Sequence, residues 1–360
     1  MRYRTGHDLT ASTVENSPVS TTMDVSIIIV NWNSADYLKD CIASIYQHTR
    51  DISFDIVVVD NASPAGDADV LERTFTGITL VKSKDNLGFA GANNLGFRHS
   101  LGQYLLFLNP DTKVISPAIA TMLRSAKSLP NVGIVGCKLL NGDLTVQTSC
   151  IQRFPSIIRQ VLEAEALRRR FQKARFSGIA PLFSASSAPA PVEVVSGACM
   201  LIDRAVFERV GMFSEDYFMY AEDLDLCYRV IQAGYQNYYV GEGVVVHFGG
   251  KSSTPQWATA MKWNALLRFM AKNKGPLYVF MFRAVMILVA IARLMLLVPI
   301  SAVKKREGPQ YSSALKWRTI LSTLLRQHPT RDHGKSPLHE SGPASRPEAA
   351  GPRPSTQTAR

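Results

Sequence analysis

The sequence predicts an α/β protein with a mostly parallel central sheet flanked by helices, and three observations lead to this prediction. Short, continuous apolar runs alternate with segments of helical spacing in the first third of the chain. The runs are rich in β-branched residues and show no polar alternation, which is typical of strands buried on both faces. Three of the runs are also followed directly by Asn or Asp, residues that favour turns.

The alternation begins with the run VSIIIV at Val25–Val30, which predicts the first strand. Ser34 can cap the helix that follows. The apolar positions of this helix keep helical spacing and are Leu38, Cys41, Ile42 and Ile45. The next predicted elements are a strand at Asp55–Val59, a helix at Asp67–Phe75 and a strand at Ile78–Val81.

The segment QYLLFLNPDT, residues 103–112, predicts the central strand of the sheet. Its apolar part, Tyr104–Leu108, must end at Pro110, which cannot donate to a strand ladder. Asp111 is therefore expected at the carboxyl end of a strand, where open α/β sheets bind ligands. Two roles stay open for this carboxylate: a metal ligand, or a cap for a helix that begins near Pro117.

Polar clusters follow three of the predicted strands and indicate a nucleotide site at one edge of the sheet. They are Asn31 with Asn33, Asp60 with Asn61, and Asn109 with Asp111. A turn at Asn86–Asn94, which includes Gly88, leads into a helix and suits close backbone approach to phosphate or ribose. It has neither the GxGxxG spacing of dinucleotide folds nor the GK[ST] of a phosphate-binding loop.

Composition limits the partners and the compartment. The chain has 360 residues, of which 46% are hydrophobic and 19% charged, with a formal net charge of +11. This excess favours anionic partners such as nucleotides, pyrophosphates or an anionic membrane surface, and we expect no nucleic-acid partner. The five cysteines are scattered without a CxxC pair, which favours a reducing compartment. No secretory signal is recognisable at the N-terminus.

Seven sequence blocks between Val25 and Ser252 resemble a known family. In order they are VSIIIVNWN, VVVDNAS, DNLGFAGANN, LFLNPDT, VSGACMLIDR, FMYAEDLDLCYR and VVVHFGGKS. Together they resemble the family 2 glycosyltransferases of GT-A fold, especially the bacterial rhamnosyltransferase-like branch. The resemblance implies inverting sugar transfer, with rhamnose as a candidate sugar, from a nucleoside diphosphate sugar donor to a lipid-linked or glycan acceptor in cell-surface glycan synthesis.

The resemblance also implies roles for the strand-end residues. Asp60 stands where the family contacts the nucleotide base, and the family's Asp-x-Asp metal motif falls on Asn109-Pro110-Asp111. Because Asn replaces the first Asp, only Asp111 carries over as a ligand, and His247 is expected to complete the site. A divalent ion, Mg²⁺ or Mn²⁺, would stabilise the leaving diphosphate. Lys251 can contact the phosphates or close a turn.

The helix that begins at Ala221-Glu222-Asp223 is expected to carry the general base. Asp223 matches the family's base position, and a carboxylate can accept the proton of an acceptor hydroxyl. Glu222 is expected to position the acceptor, although acidic residues in a first helical turn also favour the helix dipole. Asp225 precedes Arg229 by four residues, the spacing of an ordinary surface ion pair.

The sequence further predicts four regions, one of which contains an insertion. They are a disordered leader at 1–22, a catalytic domain at 23–255 with a variable basic insertion at 156–191, a helical region at 256–327 and a disordered tail at 328–360. Within the helical region, residues 277–303 are strongly apolar but contain Arg283, Arg293 and Pro299. We interpret this segment as a helix in the membrane interface, with a single tilted span as the alternative. We therefore expect a cytoplasmic protein that is peripheral or monotopic at the inner face of a bacterial plasma membrane.

Two other functions compete with glycosyl transfer. A nucleotidyltransferase also uses an α/β sheet and a metal, but it should carry a Gly-rich loop with basic residues after its first strand, where Asn31-Trp32-Asn33 stands. A non-catalytic binding protein on the same scaffold would have lost one of its key polar residues. None of Asp60, Asp111, Asp223 or His247 is lost.

Overall fold

The computed structural model describes residues 23–64, 66–162, 178–184, 188–249, 254–303 and 313–326. Its strands are β1 Val25–Asn31, β2 Phe54–Asp60, β3 Thr79–Lys82, β4 Tyr104–Leu108, β5 Thr112–Val114, β6 Val132–Leu140, β7 Ile151–Gln152, β8 Ala190–Val192, β9 Val194–Val195, β10 Cys199–Asp203 and β11 Gln236–His247. Its α-helices are α1 Ala35–His48, α2 Asp67–Thr74, α3 Gly88–Arg98, α4 Ala118–Ser128, α5 Ile157–Leu162, α6 Arg204–Arg209, α7 Glu222–Gln232, α8 Pro255–Lys274, α9 Pro276–Val303 and α10 Ser313–Leu325. A 3₁₀ turn at Ala180–Phe183 precedes β8.

The central sheet confirms the predicted α/β class. Its strand order is β3-β2-β1-β4-β10-β6-β11-β5, and β8 pairs with β11. The first four strands of this order are parallel, as are β6 and β11. β10 runs antiparallel between β4 and β6, so the sheet is mixed rather than doubly wound throughout. An apolar run does not encode strand direction, which the surrounding connections decide.

The register of the sheet brings the predicted strand ends to one edge. Asn31 of β1 lies opposite Asp60 of β2, and Ile29 of β1 lies opposite Leu108, the last residue of β4. The residues of β4 are all buried, as expected for a strand covered on both faces. Asn109 and Asp111 therefore follow β4 at the edge that also carries Asn31 and Asp60.

Two local predictions about helix starts are wrong. The hydroxyl of Ser34 does not cap α1 but donates to the carbonyl of Trp32. Asp67 takes that role from a distant part of the chain, because its Oδ2 accepts hydrogen bonds from the backbone nitrogens of Ser34 and Ala35 at 2.9 and 3.1 Å. The predicted turn at Asn86–Asn94 is mostly helix, since α3 begins at Gly88.

Tertiary contacts explain why α3 contains several glycine residues. A Cβ at Gly96 would lie 2.5 Å from the side chain of Ile28, so the helix can approach β1 only with glycine there. Asn94 is buried and exchanges hydrogen bonds with the backbone of Phe213, donating at 2.9 Å and accepting at 3.1 Å. These contacts override the low helix propensity of glycine.

The three C-terminal helices α8, α9 and α10 form a second apolar cluster that packs on the catalytic domain. Its fully buried side chains include Phe269 of α8, Phe282 and Met286 of α9 and Leu324 of α10. The segment around the start of α7 joins this cluster through Tyr217, Tyr220, Ala221 and Leu224. The helical unit is therefore in direct contact with the helix expected to carry the base.

Helix α9 runs without a break from Pro276 to Val303 and includes Arg283, Arg293 and Pro299, which agrees with the predicted helix. The Arg283 guanidinium donates to the carbonyls of Leu324 and Arg326 at the end of α10, and Arg293 lies 4.6 Å from the ring centroid of Trp317. Both charges thus have partners on α10. The 21 residues Pro276–Leu296 are long and apolar enough, by length and composition, to cross a membrane.

The side of α9 that faces away from α8 and α10 forms a stripe without charged residues. We call it the α9 stripe, and its exposed side chains are Leu277, Phe280, Met281, Ala284, Leu288, Ile291, Ala292, Met295 and Leu296. The spacing of three and four residues places them on one helical face. Such a large exposed apolar surface is typical of a site that contacts a membrane or another protein. The interfacial interpretation of 277–303 stays a prediction.

The predicted leader at 1–22 and tail at 328–360 lie outside the described residues, as does much of the insertion at 156–191, namely 163–177 and 185–187. The proposed division at 255/256 falls at the start of α8. All five cysteines are buried and free, in agreement with the absence of a disulfide framework in the sequence.

Candidate active site

The first group of side chains at the sheet edge links β1 and β2. Asn31 Nδ2 donates to Asp60 Oδ1 at 3.0 Å and to Asp67 Oδ2 at 3.0 Å. Asp60 Oδ2 also accepts from the backbone nitrogen of Ser63 at 3.3 Å, so its carboxylate is held in place. Within the described part of the chain, the buried Asn31 Oδ1 has no hydrogen-bond partner. This acceptor is suitable for a donor group of a ligand.

A second group fixes the turn before α3. Asn61 Nδ2 donates to Asn86 Oδ1 at 2.9 Å, and Asn61 Oδ1 accepts from the backbone nitrogen of Leu87 at 2.8 Å. Gly88 has a φ of +70°, and a Cβ there would lie 2.2 Å from the carbonyl oxygen of Phe218. Glycine is therefore required at this position because the backbone lies close to Phe218. Nucleotide contacts of Asn61, Asn86 and Gly88 stay predictions.

Asn33 belongs to the same edge, next to the first group. Its φ is +51°, a left-handed conformation that asparagine adopts more readily than most residues. Its backbone nitrogen donates to Ser63 Oγ at 3.0 Å. The loops after β1 and β2 are therefore tied together through Ser63. Lys251, the remaining predicted phosphate contact, lies outside the described residues.

The proposed metal ligands lie together at the end of β4. His247 pairs with Thr112 in the β5–β11 ladder, and this register places its ring beside Asp111. His247 Nε2 is 3.4 Å from Asp111 Oδ1 and 3.2 Å from Asn109 Nδ2. Asp111 does not cap α4, whose first turn has no side-chain cap. The capping role is therefore wrong, and the role of Asp111 as a metal ligand stays a prediction.

Gln147 orients the His247 ring, a role that the sequence did not reveal. Its Nε2 donates to Asn141 Oδ1 at 3.1 Å and to the carbonyl of His247 at 3.5 Å. Its Oε1 is 2.9 Å from His247 Nδ1, a distance at which an amide oxygen can accept a hydrogen bond from this ring nitrogen. In the tautomer with the proton on Nδ1, the other ring nitrogen, Nε2, presents a lone pair towards Asp111. Metal-binding histidines commonly have such a hydrogen bond on their other ring nitrogen.

These residues fit a divalent ion that is also held by a diphosphate. A nitrogen lone pair and a carboxylate oxygen face each other at 3.4 Å, an arrangement that a cation between them would stabilise. Among the described residues no group of three or more His, Cys, Asp or Glu side chains could hold a metal. The remaining ligands would have to come from substrate phosphates, as is common for Mg²⁺.

The expected base, Asp223, is oriented by two backbone groups. Its Oδ2 accepts from Gly197 N at 2.9 Å, and its Oδ1 accepts from Leu224 N at 2.7 Å. Burial raises the pKa of Asp223, although these hydrogen bonds oppose the shift. A raised pKa brings a carboxylate closer to the range in which a general base is effective.

Gly197 lies in close contact with the side chain of the expected base. A Cβ at this position would lie 3.2 Å from Asp223 Cβ, so glycine allows the base itself to approach the backbone. The adjacent carbonyl of Ala198 accepts a hydrogen bond of 3.0 Å from Asn109 N. The base, the 196–198 loop and the proposed metal ligands are therefore connected by consecutive hydrogen bonds.

Glu222 is buried, and its Oε2 has no hydrogen-bond partner among the residues that the structure describes, in contrast to an ordinary dipole-stabilising residue. Burial and then the neighbouring Asp223 raise the pKa of Glu222 well above its usual value. Its carboxyl group therefore tends to keep its proton and can act as a hydrogen-bond donor. The two residues before it, Tyr220 and Ala221, have φ of +70° and +63°, and such backbone strain is frequent at functional sites.

The expectation of a surface pair between Asp225 and Arg229 is wrong. The Asp225 side chain is fully buried, with Arg229 Nε at 2.7 Å and Lys272 Nζ at 3.6 Å. It also accepts from the hydroxyl of Tyr217 at 3.2 Å. Arg229 in turn donates to the carbonyls of Val210 and Met212. Asp225 is therefore the centre of a buried network that fixes α7.

The fold is that of the GT-A glycosyltransferases, the class of enzymes that bind nucleotide sugars at such a sheet edge. A mannosyltransferase from Pyrobaculum calidifontis, solved with GDP-Man and Mn²⁺, superimposes with a TM-score of 0.52 over 86% of this chain and 87% of its own, at 19% identity. The chain belongs to Glycosyl transferase family 2, whose sequence profile matches residues 26–211. It is therefore a glycosyltransferase, and the resemblance found in its motifs is confirmed.

Two relatives are also glycosyltransferases, and one of them is a rhamnosyltransferase. The chain is 28% identical to the low-salt glycan biosynthesis hexosyltransferase Agl10 of Haloferax volcanii over 260 residues, which cover 69% of this chain and 76% of the relative. It is also 28% identical to the N-acetylglucosaminyl-diphospho-decaprenol L-rhamnosyltransferase of Mycobacterium tuberculosis over 240 residues, covering 63% and 76%. The family membership argues against a nucleotidyltransferase.

Proposed function

We propose that the protein is an inverting glycosyltransferase that moves a sugar, with rhamnose as the first candidate, from a nucleoside diphosphate donor to a lipid-linked acceptor in glycan synthesis. The observation that carries this proposal is the hydrogen-bonded connection from Asp223 through Gly197 and Ala198 to Asn109. It brings a general base and a diphosphate site to one edge of the sheet. The M. tuberculosis relative, whose name specifies a decaprenyl diphosphate-linked acceptor, supports the acceptor class.

The proposed reaction is one in-line displacement. Asp223 accepts the proton of the acceptor hydroxyl while that oxygen forms a bond to the anomeric carbon of the donor sugar. The bond from the anomeric carbon to the diphosphate oxygen breaks, and the nucleoside diphosphate leaves with the electron pair. Attack opposite to the leaving group inverts the anomeric centre. General-base catalysis of this kind typically contributes about 10²- to 10⁴-fold in rate.

The donor would be held by the two groups at the strand ends. Asp60, whose carboxylate accepts a hydrogen bond from Asn31, would contact the nucleotide base, and Asn61 and Asn86 shape the adjoining turn. Asp111 and His247 would hold a divalent ion, Mg²⁺ or Mn²⁺, which when bound neutralises charge on the leaving diphosphate. The Mn²⁺ in the structure of the P. calidifontis enzyme supports a divalent metal without choosing between the two ions.

We place the enzyme on the inner face of the plasma membrane, as a peripheral or monotopic protein. The α9 stripe would enter the interface, where each fully buried large apolar side chain contributes roughly 1.5–3 kcal/mol. The net charge of +11 would add attraction to anionic lipids. The base would then lie close to a surface that can present a lipid-linked hydroxyl.

A donor and acceptor panel tests the proposal. Full-length protein is incubated with several nucleoside diphosphate sugars, including that of rhamnose, with and without a polyprenyl diphosphate-linked N-acetylglucosamine. We expect nucleoside diphosphate release that depends on the acceptor, together with a glycosylated lipid product of inverted anomeric configuration. A retained configuration, or no release from any donor under conditions where the protein is folded, would contradict it.

A further inference from the structure

Lys262 of α8 lies near the expected base, and no ion pair involves it among the described residues. Its Nζ lies 4.9 Å from the ring centroid of Tyr220, the residue that leads through Ala221 into the catalytic turn. Lys272, on the same helix, is paired with both Asp216 and Asp225. Lys262 forms no ion pair within the described part of the chain, so its charge is available to a ligand.

A second lysine strengthens the positive charge at this place. Lys316 of α10 is also exposed and forms no ion pair among the described residues. The pKa of Lys262 is lowered, first by partial desolvation of the Lys262 ammonium group and then by repulsion from Lys316. Attraction by Asp223 acts in the opposite direction. Two cations that repel each other favour an anion that can interact with both.

Lys262 lies between the turn that carries the expected base and the apolar helix α9. On one side, Tyr220 connects it to Glu222 and Asp223. On the other, the next residue, Trp263, has its ring centroid 6.2 Å from that of Phe282, which lies on the face of α9 opposite to the exposed stripe. Helix α8 thus joins the base to the helix that presents the apolar stripe.

We propose that Lys262, together with Lys316, binds the diphosphate of a polyprenyl diphosphate-linked acceptor. In such a molecule the diphosphate stands between the sugar hydroxyl that is deprotonated and the apolar chain. In the protein, Lys262 lies beside Tyr220, three residues before Asp223, and its helix α8 packs against α9, whose opposite face carries the α9 stripe. This assignment rests on the proposed function and specifies how its acceptor is recognised.

Binding of farnesyl diphosphate to the full chain tests the assignment, measured by calorimetry in detergent with EDTA, which removes divalent ions from the donor site. Since charge-assisted hydrogen bonds are among the strong ones, we expect Lys262→Gln to weaken binding about tenfold or more. Lys262→Arg should keep most of the affinity. Lys274→Gln is the matched control, because Lys274 is on the same helix and lies 5.7 Å from the ring centroid of Tyr228.

Three comparisons can overturn the assignment. If farnesol binds as well as farnesyl diphosphate, the site does not recognise the diphosphate. If Asp111→Asn weakens binding as much as Lys262→Gln, the probe occupies the donor site. If Lys262→Gln leaves farnesyl diphosphate binding unchanged and only weakens attachment to phosphatidylglycerol vesicles, the lysine binds lipid headgroups instead.

Kinetics separate this assignment from the proposed function. With a protein that transfers sugar, Lys262→Gln should raise the KM for the polyprenyl diphosphate-linked acceptor about tenfold and leave the KM for the donor unchanged. An unchanged acceptor KM would overturn the role of Lys262 alone. Absence of transfer by the unaltered protein with every donor would instead count against the proposed function, whatever the farnesyl diphosphate result.

Discussion

Asp223 Oδ2 accepts a hydrogen bond of 2.9 Å from the backbone nitrogen of Gly197, and this contact joins the helix that carries the base to the loop before β10. The carboxylate is therefore oriented by the sheet itself rather than only by its own helix. A second hydrogen bond, from Leu224 N to Oδ1, removes the remaining rotation. Such fixed orientation is what a general base needs, since misplacement of a catalytic group is costly.

Replacement of this base gives the most direct prediction. Asp223→Asn should lower the transfer rate about 10²- to 10⁴-fold, because the amide cannot accept the proton. Donor affinity should survive, since the proposed donor contacts lie on other residues. The rate of the unaltered enzyme should also fall as the pH decreases through the raised pKa of Asp223. Normal turnover by the variant, or a defect explained by lost donor binding, would refute the assignment.

Asp225→Asn is the companion variant and should affect stability instead. Removing one partner of a buried ion pair typically costs about 3–5 kcal/mol. We expect the lower end, about 3 kcal/mol, because Arg229 keeps its hydrogen bonds to the carbonyls of Val210 and Met212. Denaturant unfolding measures the loss. A change below about 0.5 kcal/mol would mean that the pair acts like an exposed one.

Metal dependence follows from the pair formed by Asp111 and His247. EDTA should stop transfer, and Mg²⁺ or Mn²⁺ should restore it. Asn109→Asp should increase metal affinity because it adds a carboxylate beside Asp111, as in the family's Asp-x-Asp motif. Titration with Mn²⁺ followed by electron paramagnetic resonance measures this affinity. Full activity in excess chelator would show that cationic side chains replace the ion.

Gln147 should influence the same metal without contacting it. Gln147→Leu removes the acceptor that orients the His247 ring, and the loss of such supporting hydrogen bonds typically lowers metal affinity about 10- to 100-fold. Gln147→Glu keeps an acceptor at Nδ1 and should retain the affinity. The same Mn²⁺ titration compares both variants. Equal affinities for Gln147→Leu and the unaltered protein would exclude this positioning role.

The part of the site that lies at strand ends can be predicted from the sequence. Asn31, Asp60 and Asp111 could be placed together because parallel strands deliver their carboxyl ends to one edge, and the register confirms this. Gln147 could not be found in this way, since it lies in a loop 100 residues from His247 and no periodicity marks it. Tertiary partners of this kind are invisible to local patterns.

The sequence also does not show which partners a charged side chain has or how deeply it is buried. Arg283 and Arg293 interrupt the apolar sequence of α9, and α10 supplies a partner for each. Spacing of four residues identified the pair of Asp225 with Arg229 but not its burial, which the contact with Tyr217 reveals. In both cases the contacts come from a segment that folds against the helix, so local sequence could not show them.

The α9 stripe predicts membrane attachment. Phe280 and Leu288 are 70% and 67% exposed and lie eight residues apart on one face of the helix. Replacing both with Gln therefore removes two large apolar side chains from the proposed lipid contact. Each contributes roughly 1.5–3 kcal/mol if fully buried in lipid. Sedimentation with anionic vesicles should therefore show strongly reduced binding. Leu101→Gln, at a position that is also 67% exposed, is the control. Equal binding of all three proteins would contradict the interfacial role.

The buried Glu222 predicts an unusual dependence of stability on pH. Its folded-state pKa is raised above the unfolded value by burial and by Asp223. Between these two pKa values the folded state binds more protons than the unfolded state, so this residue makes the free energy of unfolding decrease as the pH rises.

The variant Glu222→Gln tests this dependence, because glutamine has nearly the same shape as glutamate but no proton to lose. The variant should match the unaltered protein below about pH 4, under the ordinary Glu pKa, and exceed its stability increasingly as the pH rises above that value. Urea midpoints of both proteins at several pH values measure the difference, to which the other carboxylates contribute little because both proteins contain them. Parallel stability curves would show that Glu222 ionises in the folded protein as it does in the unfolded chain.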